Sequence, residues 1–149
     1  MSDIESPTLA QRVVRRMLEG DTATAMLGME VESVASGRAV VAMTVRGDML
    51  NGHASCHGGL IFSLADSAFA FACNSGNQRT VAAGCQIDFV KATRLGDRLR
   101  AEAVERNAGS RLGVYDITVS NQHGELVALF RGKSCRIGGH VIDPDEPAA

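Results

Sequence analysis

The stretch Gly58-Gly59-Leu60-Ile61-Phe62-Ser63-Leu64-Ala65-Asp66-Ser67-Ala68-Phe69-Ala70-Phe71-Ala72-Cys73 decides how this chain folds. Its apolar residues leave almost no polar stripe at a 3.6-residue period, so a helix here must be enclosed by protein. It is too long for a typical strand and too short to span a bilayer. The enclosure therefore comes from its own domain or from a partner.

Asp66 is the anomaly in this helix. An ionised carboxylate among Phe62, Leu64, Ala65, Ala68 and Phe69 carries a large desolvation cost unless something compensates. One account is a structural carboxylate bonded to Ser63, Ser67 or a facing backbone N–H. The other is a nucleophile or general base, because buried carboxylates with displaced pKa values gather at active sites.

Upstream runs Met49-Leu50-Asn51-Gly52-His53-Ala54-Ser55-Cys56-His57, dense in polar groups. The first N–H groups of a helix lack partners within it and carry the positive end of its dipole, so Gly58 and Gly59 form a ready oxyanion hole. A tight loop needing glycine only for its backbone angles would leave the same trace; the pairing with Asp66 favours the oxyanion reading. Eight residues of helix separate Gly58 from Asp66, about 12 Å along the axis. The two cannot touch one carbonyl within a single chain. If both serve one substrate they come from different subunits, which predicts a homodimer with the site at a two-fold interface.

Ahead of this core, Ser6 as N-cap and Pro7 at the first helical position predict a short amphipathic helix ending at Gly20. Met29 to Val45 reads as a hairpin broken at Ser36-Gly37. Behind the core, Val81–Val90, Arg98–Arg106, Leu112–Ser120 and Leu126–Arg136 read as four strands of an antiparallel meander. Leu95-Gly96-Asp97, Asn107 to Ser110 and Asn121 to Gly124 are the expected turns. The expected fold class is α+β, an antiparallel sheet wrapped around one long apolar helix. Residues 1–142 make a single domain, and 143–149 a disordered tail.

A net charge of -2, with Lys and Arg scattered, argues against a nucleic-acid or anionic-membrane partner. Met1-Ser2-Asp3-Ile4-Glu5 has no basic region followed by an apolar run, so the chain is expected in the cytoplasm. Cys56, Cys73, Cys85 and Cys135 form no C-x-x-C pair and read as free thiols. His53, Cys56 and His57 lack a matching fourth ligand, which argues against zinc. Adjacent side chains usually diverge, which argues against a Cys56–His57 nucleophile pair.

These residues resemble the hotdog-fold thioesterases of the phenylacetate-degradation (PaaI) type. The likeness runs through Leu50-Asn51-Gly52-His53, His57-Gly58-Gly59, Phe62, Leu64-Ala65-Asp66 and Ala68-Phe69-Ala70. It continues through Ala72-Cys73-Asn74-Ser75, Ile87-Asp88-Phe89, Gly96-Asp97, Gly113 to Ile117 and Phe130 to Ser134. It implies a hotdog fold, tetramers built from dimers, and hydrolysis of aryl-acetyl-coenzyme A such as the phenylacetyl or hydroxyphenylacetyl thioester. Asp66 would match the catalytic acid, Gly58 the oxyanion donor, and Asn51 and His57 the polar groups of the helix-entry loop. Several relatives also place Ser or Thr on the strand facing the acid, where Ala82-Ala83-Gly84 offers no hydroxyl.

Gly59 and Phe62, one turn before Asp66, are expected to line the substrate site. Arg106 and Arg111 are candidates for the coenzyme A phosphates, with solvated turn charges as the alternative. No metal or redox cofactor is expected, since the thiolate of coenzyme A leaves without a strong acid. The rival readings are an enoyl-coenzyme A hydratase on the same scaffold and a non-catalytic acyl-coenzyme A-binding subunit.

Overall fold

A computed structural model describes residues 5–148. The leader reading at Met1–Ile4 and the last residue of the expected tail, Ala149, lie outside the described residues. Two helices, α1 (Leu9–Gly20) and α2 (Thr22–Met26), precede the hairpin β1 (Glu30–Ala35) and β2 (Arg38–Thr44). Then come α3 (Gly58–Asn74), β3 (Gln78–Phe89), β4 (Arg98–Ala108), β5 (Leu112–Ser120) and β6 (Leu126–His140). Among the described residues no helix is long and apolar enough to cross a membrane.

α1 begins two residues later than Ser6-Pro7 suggested. Thr8 is the N-cap: its hydroxyl accepts from the Gln11 N–H, while the Gln11 side chain accepts from the Thr8 N–H. That reciprocal pair is worth about 1 kcal/mol, which Ser6 has no comparable partner to match.

The six strands form one antiparallel sheet in the order β1-β2-β4-β5-β6-β3, and α3 lies on its inner face, as the hotdog fold requires. Only β4, β5 and β6 form a meander. β3 crosses to the far edge and pairs with β6, from Gln78↔His140 to Phe89↔Ala128. The Leu95-Gly96-Asp97 segment is therefore no hairpin turn. It returns across the end of β2, where Val45 N–H donates to Asp97 O and Gly96 N–H to Val45 O.

Ala101, Ala103, Ile117, Val119, Ala128 and Phe130 turn inward onto Leu64, Ala65, Ala68 and Phe69, all 2% exposed or less. α3 approaches closest at Gly132, where an added Cβ would lie 2.7 Å from the Phe69 ring. Glycine is required there because the aromatic side chain occupies the space a side chain would need.

The C-terminal end of α3 is tied to the sheet by buried amides. Asn74 donates to Ala70 O and Thr80 O and accepts from Thr80 N–H. Asn77 holds Val141 and Ile142 in the same way. Beyond them the chain runs back along α1, where Glu146 meets Arg12 and Arg16.

Candidate active site

α3 starts at His57, whose extended backbone makes it the N-cap and whose Nδ1 accepts from the Gly59 N–H at 3.2 Å. Leu60 and Ile61 donate to His57 O. The Gly58 N–H has no acceptor among the described residues. Of the two glycines proposed as donors, then, Gly59 is already used and Gly58 is free. Its N–H carries the positive end of a seventeen-residue helix.

The loop before it is held from inside by Asn51. Its Oδ1 accepts from His53 N–H and Ser55 N–H, and its backbone N–H donates to Ser55 O at 2.7 Å. Ala54 takes a positive φ of 58° at the tip. From outside, the 2%-exposed Thr93 accepts from the buried Cys56 N–H at 3.0 Å and meets the Ser55 hydroxyl. Thr93 is thus a support that the sequence offered no pattern for.

Asn51 and Gly58 line one cavity of about 260 Å³ together with Ile61, Phe89, Val90 and Lys91. Phe89 was not singled out from sequence. It belongs to β3 and reaches the helix start only because the sheet order carries that strand past α3.

Asp66 lies two turns further along, partly buried, on a stripe made with Gly59, Ser63, Ala70 and Cys73 that the described residues leave partly uncovered. The Ser63 hydroxyl donates to Gly59 O and not to Asp66. No hydrogen bond or ion pair reaches the Asp66 carboxylate among the described residues. Burial raises its pKa above the ordinary carboxylate value. Cys73 is pushed up to about 12, chiefly by burial, with the nearby Asp66 charge adding to it. Burial, and then Asp66, raise Cys85 on β3 as well.

Phe62 packs edge-on to Phe130 with ring centroids 5.1 Å apart, on the same side of α3. Arg106 and Arg111 are not brought to the cavity in this chain. Arg106 follows Arg100, Glu102 and Val104 onto the outer face, where it pairs with Asp116 at 3.0 Å beside Arg131. Arg111 is exposed, and its carbonyl accepts from Arg136 N–H. His53 is exposed on the loop, and Cys56 is packed with its thiol pKa raised by burial. Among the described residues no three His, Cys, Asp or Glu side chains gather to hold a metal ion.

Residues 53–128, which include the helix start, Asp66 and the strands around them, match the model of the thioesterase superfamily. The chain belongs to this family. The acyl-coenzyme A thioesterase PaaI of Escherichia coli is 54% identical over 84% of this chain and 89% of its own. The solved E. coli PaaI protein, from the phenylacetic acid degradation operon, superimposes with a TM-score of 0.88 at 52% identity, covering 89% of this chain and 96% of that one. A Streptococcus mutans protein bound to acetyl CoA matches with a TM-score of 0.73 at 28% identity, over 75% of this chain and 90% of its own. The chain is thus a hotdog-fold thioesterase, an enzyme of thioester hydrolysis.

Proposed function

We propose that this chain hydrolyses aryl-acetyl-coenzyme A, the phenylacetyl or hydroxyphenylacetyl thioester, to the free acid and coenzyme A at a site shared by two copies. One observation carries this reading: a partly buried carboxylate at Asp66 and a helix N–H at Gly58, both without a partner among the described residues, share one helix, too far apart to meet. The E. coli relative's thioesterase activity and operon support the substrate class.

Two surfaces support the dimer. β1, one edge of the sheet, carries Glu30 and Glu32, the charges that keep an edge from pairing. β3, the other edge, exposes Val81 to Cys85 without a charge. Beside it lies the uncovered stripe of α3. A two-fold axis passing α3 near Phe62, midway between positions 58 and 66, sets the Gly58 N–H of each copy against Asp66 of the other. Two such dimers would make the homotetramer that the resemblance implies.

In this site the Gly58 N–H donates to the thioester carbonyl oxygen, and the bond strengthens as that oxygen gains charge. Asp66 of the other copy takes a proton from water, which attacks the carbonyl carbon, or attacks that carbon itself. Collapse of the tetrahedral state breaks the carbon–sulfur bond, and the departing thiolate needs no strong acid; where Asp66 attacks directly, water then hydrolyses the resulting anhydride to release the acid and restore the carboxylate. The Asn51 amide nitrogen, unpartnered among the described residues, helps place the water or the thioester. Phe62 lines the acyl side. No metal or redox group is needed for these steps.

Thiol release from a panel of aryl and straight-chain acyl-coenzyme A substrates tests the reading, with aryl-acetyl thioesters expected to be turned over best. Consumption of crotonyl-coenzyme A without release of thiol would instead indicate a hydratase.

A further inference from the structure

Position 58 is glycine for a reason the oxyanion role does not supply. A Cβ built there would stand 3.0 Å from Cζ of Phe89 and 3.4 to 3.5 Å from both neighbouring ring atoms, so the tip of the ring rests on the helix start. In the antiparallel register Phe89 pairs with Ala128 and Ile87 with Phe130, both buried, so Phe89 faces the side of the sheet that carries α3. Its backbone is fixed as well, because just beyond it Val90 N–H and Lys91 N–H both donate to Val127 O.

An apolar ring on the α3 side of the sheet would normally be covered, yet Phe89 is 53% exposed. Its free surface forms a wall of the cavity that holds the Gly58 N–H. Past Phe89 that cavity adjoins, through Lys91 and Ala92, a polar groove of mixed charge with Arg94, Asp97, Asn121, His123 and Glu125. Along α3 from Gly58 lie Phe62, one turn on, and Asp66, two turns on.

We propose that Phe89 is a substrate-positioning residue: its ring is the surface on which the pantetheine arm of an acyl-coenzyme A lies while the thioester carbonyl sits on the Gly58 N–H. The contact excludes water from one side of that N–H and fixes the height of the carbonyl above it. This inference rests on the thioesterase reading of the site, and it adds a residue outside the helix and its entry loop.

The test is coenzyme A binding by calorimetry alongside steady-state hydrolysis, for wild type, Phe89→Leu and Phe89→Ala. Phe89→Ala is expected to raise both the Kd for coenzyme A and the KM for acyl-coenzyme A by about tenfold, and Phe89→Leu by a smaller factor. The Leu variant keeps the fold if the smaller side chain does not. In addition, Gly58→Ala combined with Phe89→Leu is expected to bind coenzyme A more tightly than Gly58→Ala alone, since the shorter side chain relieves the collision. Wild-type affinity and KM in both Phe89 variants would overturn the assignment while leaving the thioesterase reading intact. A wild-type enzyme that cleaves no acyl-coenzyme A would instead remove that reading.

Discussion

His57 Nδ1 accepts the Gly59 N–H at 3.2 Å, and with Leu60 and Ile61 donating to His57 O this leaves Gly58 as the first-turn donor without a partner among the described residues. The imidazole must present Nδ1 without a proton to do so. His57→Ala removes the cap and is expected to cost about 1 kcal/mol of stability. It is also expected to lower kcat, because the donor at Gly58 loses its fixed direction. His57→Asn, a strong N-cap, is expected to restore most of the stability. Chemical melting curves and thiol release on the two variants check this pair of outcomes.

Thr93 supports the same loop from the far side of the chain. Thr93→Val leaves the buried Cys56 N–H without its acceptor, at an expected cost of about 1–3 kcal/mol. Activity is expected to fall with it while the sheet persists, readable as reduced thiol release at an unchanged far-ultraviolet circular dichroism spectrum.

Asp66 makes two linked pH statements. Its pKa in the folded chain is raised by burial above the ordinary 3.8, so the native state holds a proton that the unfolded state has released. The contribution of Asp66 to native stability therefore declines as pH rises from that ordinary value through the raised one, and the difference in stability between wild type and Asp66→Asn is expected to change in this sense over that range. Because catalysis needs the ionised form, kcat is expected to fall on the acid side with an apparent pKa above 3.8. Melting temperature and kcat measured across pH 3.5 to about 7 test both.

The shared site predicts complementation between inactive chains. Asp66→Asn keeps its Gly58 donor, and Gly58→Val keeps its carboxylate while its side chain obstructs the approach to its own N–H, so a mixed dimer has one intact site and one doubly damaged site. Random mixing makes half the dimers mixed, and activity is expected to recover to about a quarter of wild type. A mixture no more active than its components would place the whole site in one subunit.

The apolar run at Leu60–Ala72 was legible because a helix with no polar face has one solution, and Asp66 was visible as its exception. Gly58 was legible from its place before that run. The edge position of β3 was not, because pairing with β6 is fixed by contacts distant along the chain, and alternation within a strand carries no record of its neighbour. Phe89 and Thr93 were missed for the same reason: each reaches the helix entrance through that long-range pairing or the link that follows it. Arg106 lies on the outer face by alternation with Arg100, Glu102 and Val104, but its partner Asp116 comes from the neighbouring strand, which alternation within β4 does not identify.

The most direct measurement is thiol release from phenylacetyl-coenzyme A by wild type, Asp66→Asn and Asp66→Ala. If Asp66 is the catalytic carboxylate, kcat falls by about 10²–10⁴ in both variants while coenzyme A binding and the fold are retained. Unchanged turnover in both would contradict it.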